Sequence, residues 1–98
     1  MSSVNRVRSI TVPPVVQSGV KVDVEFEYEA QDEGLKITVS AAPATLVSVS
    51  PTSVPAPMGR DRISVGLTFT AKHDDHVECV VTAELAGSVA RARTRVEP

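Results

Sequence analysis

Ten residues constrain this chain more than any others. From Val20 to Glu29 the sequence reads Val-Lys-Val-Asp-Val-Glu-Phe-Glu-Tyr-Glu, with apolar and charged side chains in strict alternation. On a helix those apolar side chains would be spread around the whole circumference, and no face could be buried. On an extended strand they share one face and the charges share the other. Valine, branched at Cβ, also favours the extended state. The segment is therefore a half-buried strand, and the rest of the chain has to supply the layer that covers its apolar side.

The same periodicity recurs downstream. Gln31-Asp32-Glu33-Gly34 reads as a polar turn, after which Leu35, Ile37 and Val39 alternate with Lys36, Thr38 and Ser40 in a second strand. These two strands form a hairpin or cross between sheets. Ala41-Ala42-Pro43-Ala44 interrupts the pattern, Leu46 to Val49 is a short strand, and Pro51, Pro55 and Pro57 break regular pairing, so this stretch reads as an edge or a sheet-switching connection. Alternation resumes from Arg62 to Thr70 with Ile63, Val65, Leu67 and Phe69 on the inner side, followed by the polar loop Lys72 to His76. Arg8 to Val12 supplies a first strand, ended by Pro13-Pro14.

The last hairpin can be read to its register. With Ala86-Gly87 as a two-residue turn, Leu85 faces Ser88, Ala83 faces Ala90, Val81 faces Ala92, Cys79 faces Thr94 and Val77 faces Val96. Every inward pair is small or apolar. The same register sets Glu84 against Val89, Thr82 against Arg91, Val80 against Arg93 and Glu78 against Arg95, a polar outer face with one favourable charge pair. Both faces agree with one register.

About seven short strands, no helical segment and turn signals between them point to an all-β chain, an antiparallel β-sandwich of immunoglobulin-like topology, with a small closed barrel as the rival architecture. With 98 residues the expectation is one domain over 1–98. Cys79 is the single cysteine and tryptophan is absent, so the paired cysteines and core tryptophan of antibody domains are missing. A net charge of -2 gives no general attraction to nucleic-acid phosphates. Phe26, Tyr28 and Phe69 are too few to build a stacking platform. The run from Met1 to Arg8 has no apolar core of a secretory signal, and no segment is long enough to span a bilayer.

The chain resembles the immunoglobulin-like repeat modules of large bacterial surface proteins, the invasin, intimin and related tandem-domain group. The resemblance lies in Leu46-Val47-Ser48-Val49-Ser50-Pro51-Thr52-Ser53-Val54-Pro55-Ala56-Pro57, then the Ile63 to Thr70 strand, then Val80-Val81-Thr82-Ala83 closing through Ala86-Gly87 to Ala90 and Val96. It covers the second half of the chain well and the first half in pattern. It implies a spacer, stalk or adhesion module without catalysis, at the cell surface or outside the cell when part of a longer exported protein. The family carries no shared functional residues to transfer. The chain departs from it in its heavier charge and in the His73 to His76 loop. The alternative is an intracellular or virion structural protein, such as a phage head or tail accessory domain, with a cytoplasmic or virion location.

Few residues offer chemistry. His73-Asp74-Asp75-His76 with Cys79 is the one cluster of metal-capable types, but Cys79 falls on the inward face of the last hairpin while the histidines belong to a loop, so no metal site is expected, and any nickel or zinc held at His73 and His76 would be adventitious. Asp32-Glu33 and Asp74-Asp75 fall at opposite ends of such a sandwich and cannot share one calcium ion. No nucleophile elbow and no phosphate-cradling glycine loop is present. The expectation is thus a non-enzyme with no catalytic residue, no cofactor, no metal and no small-molecule substrate, whose partners are proteins, either neighbouring domains or further copies. The candidate interaction surface is a pair of charged rows: Asp23, Glu25, Glu27 and Glu29 on the early strand, and Arg91, Arg93 and Arg95 on the last. The two rows belong to different sheets, so they can meet only between molecules.

Overall fold

A computed structural model describes residues 4–59 and 61–98; Met1, Ser2 and Ser3 of the N-terminal run lie outside the described residues. Nine strands and no helix are present among them: β1 (Asn5–Thr11), β2 (Val15–Gln17), β3 (Lys21–Ala30), β4 (Leu35–Ala42), β5 (Val47–Ser50), β6 (Ser53–Ala56), β7 (Arg62–Ala71), β8 (Val77–Leu85) and β9 (Ser88–Glu97). They form two sheets, one in the order β1-β3-β7-β5 and the other in the order β2-β9-β8-β4-β6. The two strands beyond the expected seven are β2 and β6, of three and four residues. Each sits beside prolines that mask its alternation in the sequence.

The alternating segment behaves as its pattern requires. Val24, Phe26 and Tyr28 are fully buried, while Asp23, Glu25, Glu27 and Glu29 face outward. Leu67 and Phe69 of β7 join them from the same sheet, and Ile37, Val39, Val81, Leu85 and Val96 close the core from the other. Each side chain of this kind contributes about 1.5–3 kcal/mol on burial, and no disulfide is formed. Ile63 and Val65 are only partly buried, because β5 covers β7 only from Thr68 to Ala71 and leaves its first half at the sheet edge, and Val20, ahead of β3, is exposed.

Chain crossings tie the layers together. β3 and β4 are consecutive yet lie in different sheets, so the Gln31 to Gly34 turn is a crossing and not a hairpin. The proline-rich stretch switches sheets: β5 pairs with β7 in the first, and β6 pairs with β4 at the edge of the second, with Pro55 opposite Lys36. An edge strand tolerates a proline because the missing N–H can face away from its neighbour. β1 pairs antiparallel with β3, and after Pro13-Pro14 the chain enters the second sheet as β2, parallel to β9. Thr94, buried on the inner face, donates its hydroxyl to the carbonyl of Pro13 at 2.7 Å and fixes that switch.

β1 starts earlier than its alternation suggests. Its register with β3 shifts between Val7 and Ser9, so Arg8 is the extra residue of a bulge. The bulge lets Val7 and Ile10, three residues apart, both reach the core. The β8–β9 pairing reproduces all nine expected pairs, from Leu85 with Ser88 to Val77 with Val96. Ala86 and Gly87 both have positive φ, 50° and 86°, the twist that a two-residue hairpin turn demands.

The body measures 50 × 20 × 18 Å. Asn5 pairs with Ala30 at the far end of β3, whereas Glu97 pairs with Gln17 close to where β3 begins. The first and last strands therefore meet solvent at opposite poles of the long axis.

Candidate interaction surface

The acidic row lies on the outer face of the first sheet, flanked by cations from both neighbouring strands. Glu29 receives hydrogen bonds from Arg6, at 3.3 Å, and from Arg8, both on β1. The bulge at Arg8 lets both arginines reach one carboxylate. The Arg8 hydrogen bond, with the charges of Arg6 and Arg8, holds the Glu29 carboxyl below its ordinary range against the partial burial that acts the other way. On β7, Arg62 donates to Glu27 at 2.7 Å and sits 3.5 Å from Glu25, and these carboxylates raise its pKa. Arg8, Glu27, Asp61 and Arg62 line a shallow cleft of about 360 Å³. Signs alternate across it, so it presents a balanced network and no net field. Of the acidic row, Asp23 alone has no ion pair among the described residues.

The basic row lies on the outer face of the second sheet, as expected of a strand in the other layer. Arg95 stands between Glu78, 3.9 Å away on β8, and Glu97, 3.3 Å away on its own strand. Its Nε is buried and has no hydrogen-bond partner among the described residues. Arg91 and Arg93 differ from every other arginine described. Neither has an ion pair among the described residues; the residues directly opposite on β8 are Thr82 and Val80, with Glu84 and Glu78 one pair further along the same face on either side. Beyond Thr82 and Val80, β4 presents Ser40 and Ala42. The two guanidinium groups thus stand over a floor of small, uncharged side chains.

The remaining candidates are dispersed. Cys79 is 2% exposed on the inner face, and burial pushes its thiol pKa up, partly offset by a backbone hydrogen bond at Ala42. His73 and His76 are exposed in the β7–β8 loop, where His76 pairs with Asp75 at 3.6 Å. Among the described residues no group of three or more His, Cys, Asp or Glu is placed to hold a metal ion. Asp32-Glu33 follows β3 and Asp74-Asp75 follows β7, and the antiparallel β3–β7 pairing sends those two loops to opposite poles. At the first pole Asn5 clamps the turn, its carbonyl oxygen accepting from the N–H of Gln31 at 2.8 Å and its amide donating to Asp32 at 2.7 Å. No helix is long and apolar enough to cross a membrane among the described residues.

What the sequence reading missed is that the acidic row is already engaged. Arg6 and Arg8, two residues apart, carry the signal, but using it requires knowing that β1 lies beside β3. No protein-family model matches the chain, and no curated protein does.

Proposed function

We propose that the chain is a non-catalytic, immunoglobulin-like β-sandwich module that works as a spacer or adhesion-type repeat of a larger bacterial surface protein. The observation that carries this reading is the placement of its ends. The chain enters the 50 Å body at one pole, by Asn5, and leaves at the other, by Glu97. Copies joined in series then extend instead of folding back, which is what a stalk requires. The immunoglobulin-like assignment draws support from a first strand divided between the two sheets and from a last strand lying between β2 and β8. The cleft lined by Arg8, Glu27, Asp61 and Arg62 is shallow and walled by charges of both signs, unlike the largely apolar enclosure that binds small substrates.

Two copies fused in series and studied by small-angle X-ray scattering test the reading. The expected maximum dimension is about twice the 50 Å of one body. A compact particle in which the copies lie side by side would overturn it.

A further inference from the structure

We propose that the exposed edge of β9 from Val89 to Arg93 is a docking site for an extended acidic segment of a partner protein, added there as a further strand of the second sheet. The proposal is independent of the spacer reading and rests on backbone and side-chain observations that coincide.

The backbone observation is an unfilled edge. β2 lies beside β9 only at Arg95, Val96 and Glu97. The outward groups of β9 are identified there: the N–H of Arg95 donates to the carbonyl of Pro14, and the carbonyl of Glu97 accepts from the N–H of Ser18. Outward direction alternates along a strand, so Val89, Arg91 and Arg93 turn their N–H and C=O the same way. Among the described residues no strand pairs with them on that side; β1, of the other sheet, packs against β9 from its inner face, where Ser88 donates its hydroxyl to the Val7 carbonyl at 3.2 Å. An open ladder of this kind is a template for one more strand. Pro14, bonded to Arg95, blocks continuation past that residue, so the site takes a segment of about five residues.

The side-chain observation selects the occupant. Arg91 and Arg93, about 7 Å apart on one face of the strand, project beside the same edge and lack an ion pair among the described residues. A second copy pairing edge to edge would bring four arginines together, and like charges across a strand pair repel. An incoming strand with carboxylates at alternate positions would place them beside the two arginines, while its backbone completes the ladder. Val89, 40% exposed, adds an apolar contact at the end of the edge.

The test uses a short synthetic peptide with alternating valine and glutamate, fluorescently labelled, titrated into the intact chain at low and high salt. A matched peptide carries lysine in place of glutamate. Expected are saturable binding of the glutamate peptide, weakening with salt, and new hydrogen-exchange protection at the amides of Val89, Arg91 and Arg93. The double variant Arg91→Glu, Arg93→Glu should lose about tenfold in affinity for the glutamate peptide and gain affinity for the lysine peptide. Arg91→Gln, Arg93→Gln should weaken the first without gaining the second. No binding of the glutamate peptide, binding without protection of those three amides, or self-association of the chain through β9 would each overturn the proposal.

Discussion

Replacing Cys79 by serine tests the sheet register and the core together. The thiol is 2% exposed on the inner face of β8, opposite Thr94 and between Val77 and Val81. There the sulfur acts as a small hydrophobe, and the substitution puts a hydroxyl in its place. Burying a hydroxyl without a partner costs about 1–3 kcal/mol on mutational scales. The backbone at Ala42, which already hydrogen-bonds the thiol, and the free lone pair of the Thr94 hydroxyl both offer the new hydroxyl a partner, and such a bond sets the low end at about 1 kcal/mol. For a domain of this size the loss corresponds to a fall in melting temperature of about 5–15 °C. The assay is thermal and urea denaturation followed by far-ultraviolet circular dichroism. Val80→Thr, one residue along on the half-buried outer face, keeps the β-branch that the strand favours and serves as the control, expected within about 0.5 kcal/mol of the parent. In parallel, a bulky thiol reagent should label the native protein only on the timescale of unfolding. A Cys79→Ser protein as stable as the parent, together with immediate native labelling, would refute the facing of β8.

Other perturbations follow from the same geometry. Ala86 holds φ at 50° in the β8–β9 turn, a region that costs most residues about 1–2 kcal/mol, so Ala86→Asn ahead of Gly87 should stabilise by about 1 kcal/mol in urea denaturation. Gly66→Ala would bring its Cβ against the Lys21 side chain, but that exposed side chain can swing away, and removing a strand glycine gains about 0.5–1 kcal/mol; a measured loss would mean that Lys21 is held in place. The Cys79 pKa is raised on folding, so its contribution is intact below the unfolded value and lost as pH rises past about 9, where the unfolded thiol ionises and the buried one does not. That alkaline slope should be shallower in Cys79→Ala. Glu29 has the opposite sign: its lowered pKa contributes stability present above 4.5 and lost as pH falls below it, and Glu29→Gln should flatten the acid limb of the stability profile.

How much was legible depends on how local the determinant is. The β8–β9 register follows from the sequence because a two-residue turn leaves one pairing that puts Val77, Cys79, Val81, Ala83 and Leu85 on the same face as Ala90, Ala92 and Val96, and all nine pairs agree. The outward and inward faces of β3 follow from alternation in the same way. β1 was legible only from Arg8 onward, since the bulge puts Val7 and Ile10 out of phase and hides the earlier half from any period-two reading. The parallel β2–β9 contact depends on Thr94 reaching Pro13 across 81 residues of chain, and no local pattern encodes that pairing. The charge rows divide likewise: their placement on separate sheets was readable, whereas the arginines that occupy Glu25, Glu27 and Glu29 come from strands whose adjacency was not.

The arrangement of edges connects these points. Sheets with open edges aggregate unless each edge carries an obstacle. The outer edge of β1 has the bulge at Arg8, β5 is four residues long, β6 is equally short and contains Pro55, and β2 has three residues. Such obstacles are steric and work against any incoming strand. The first half of β9 is different, for its pairing with β8 runs without a register shift, and on the proposal above what guards it is the charge of Arg91 and Arg93. A charged guard is selective where a bulge or a proline is not. It repels another copy of itself and neutral strands that cannot repay the desolvation of two guanidinium groups, yet it attracts a strand bearing carboxylates at the matching spacing. The feature that keeps this edge from self-pairing is therefore also the one that would specify a partner, and reversing its sign should convert protection against one class of strand into affinity for the other.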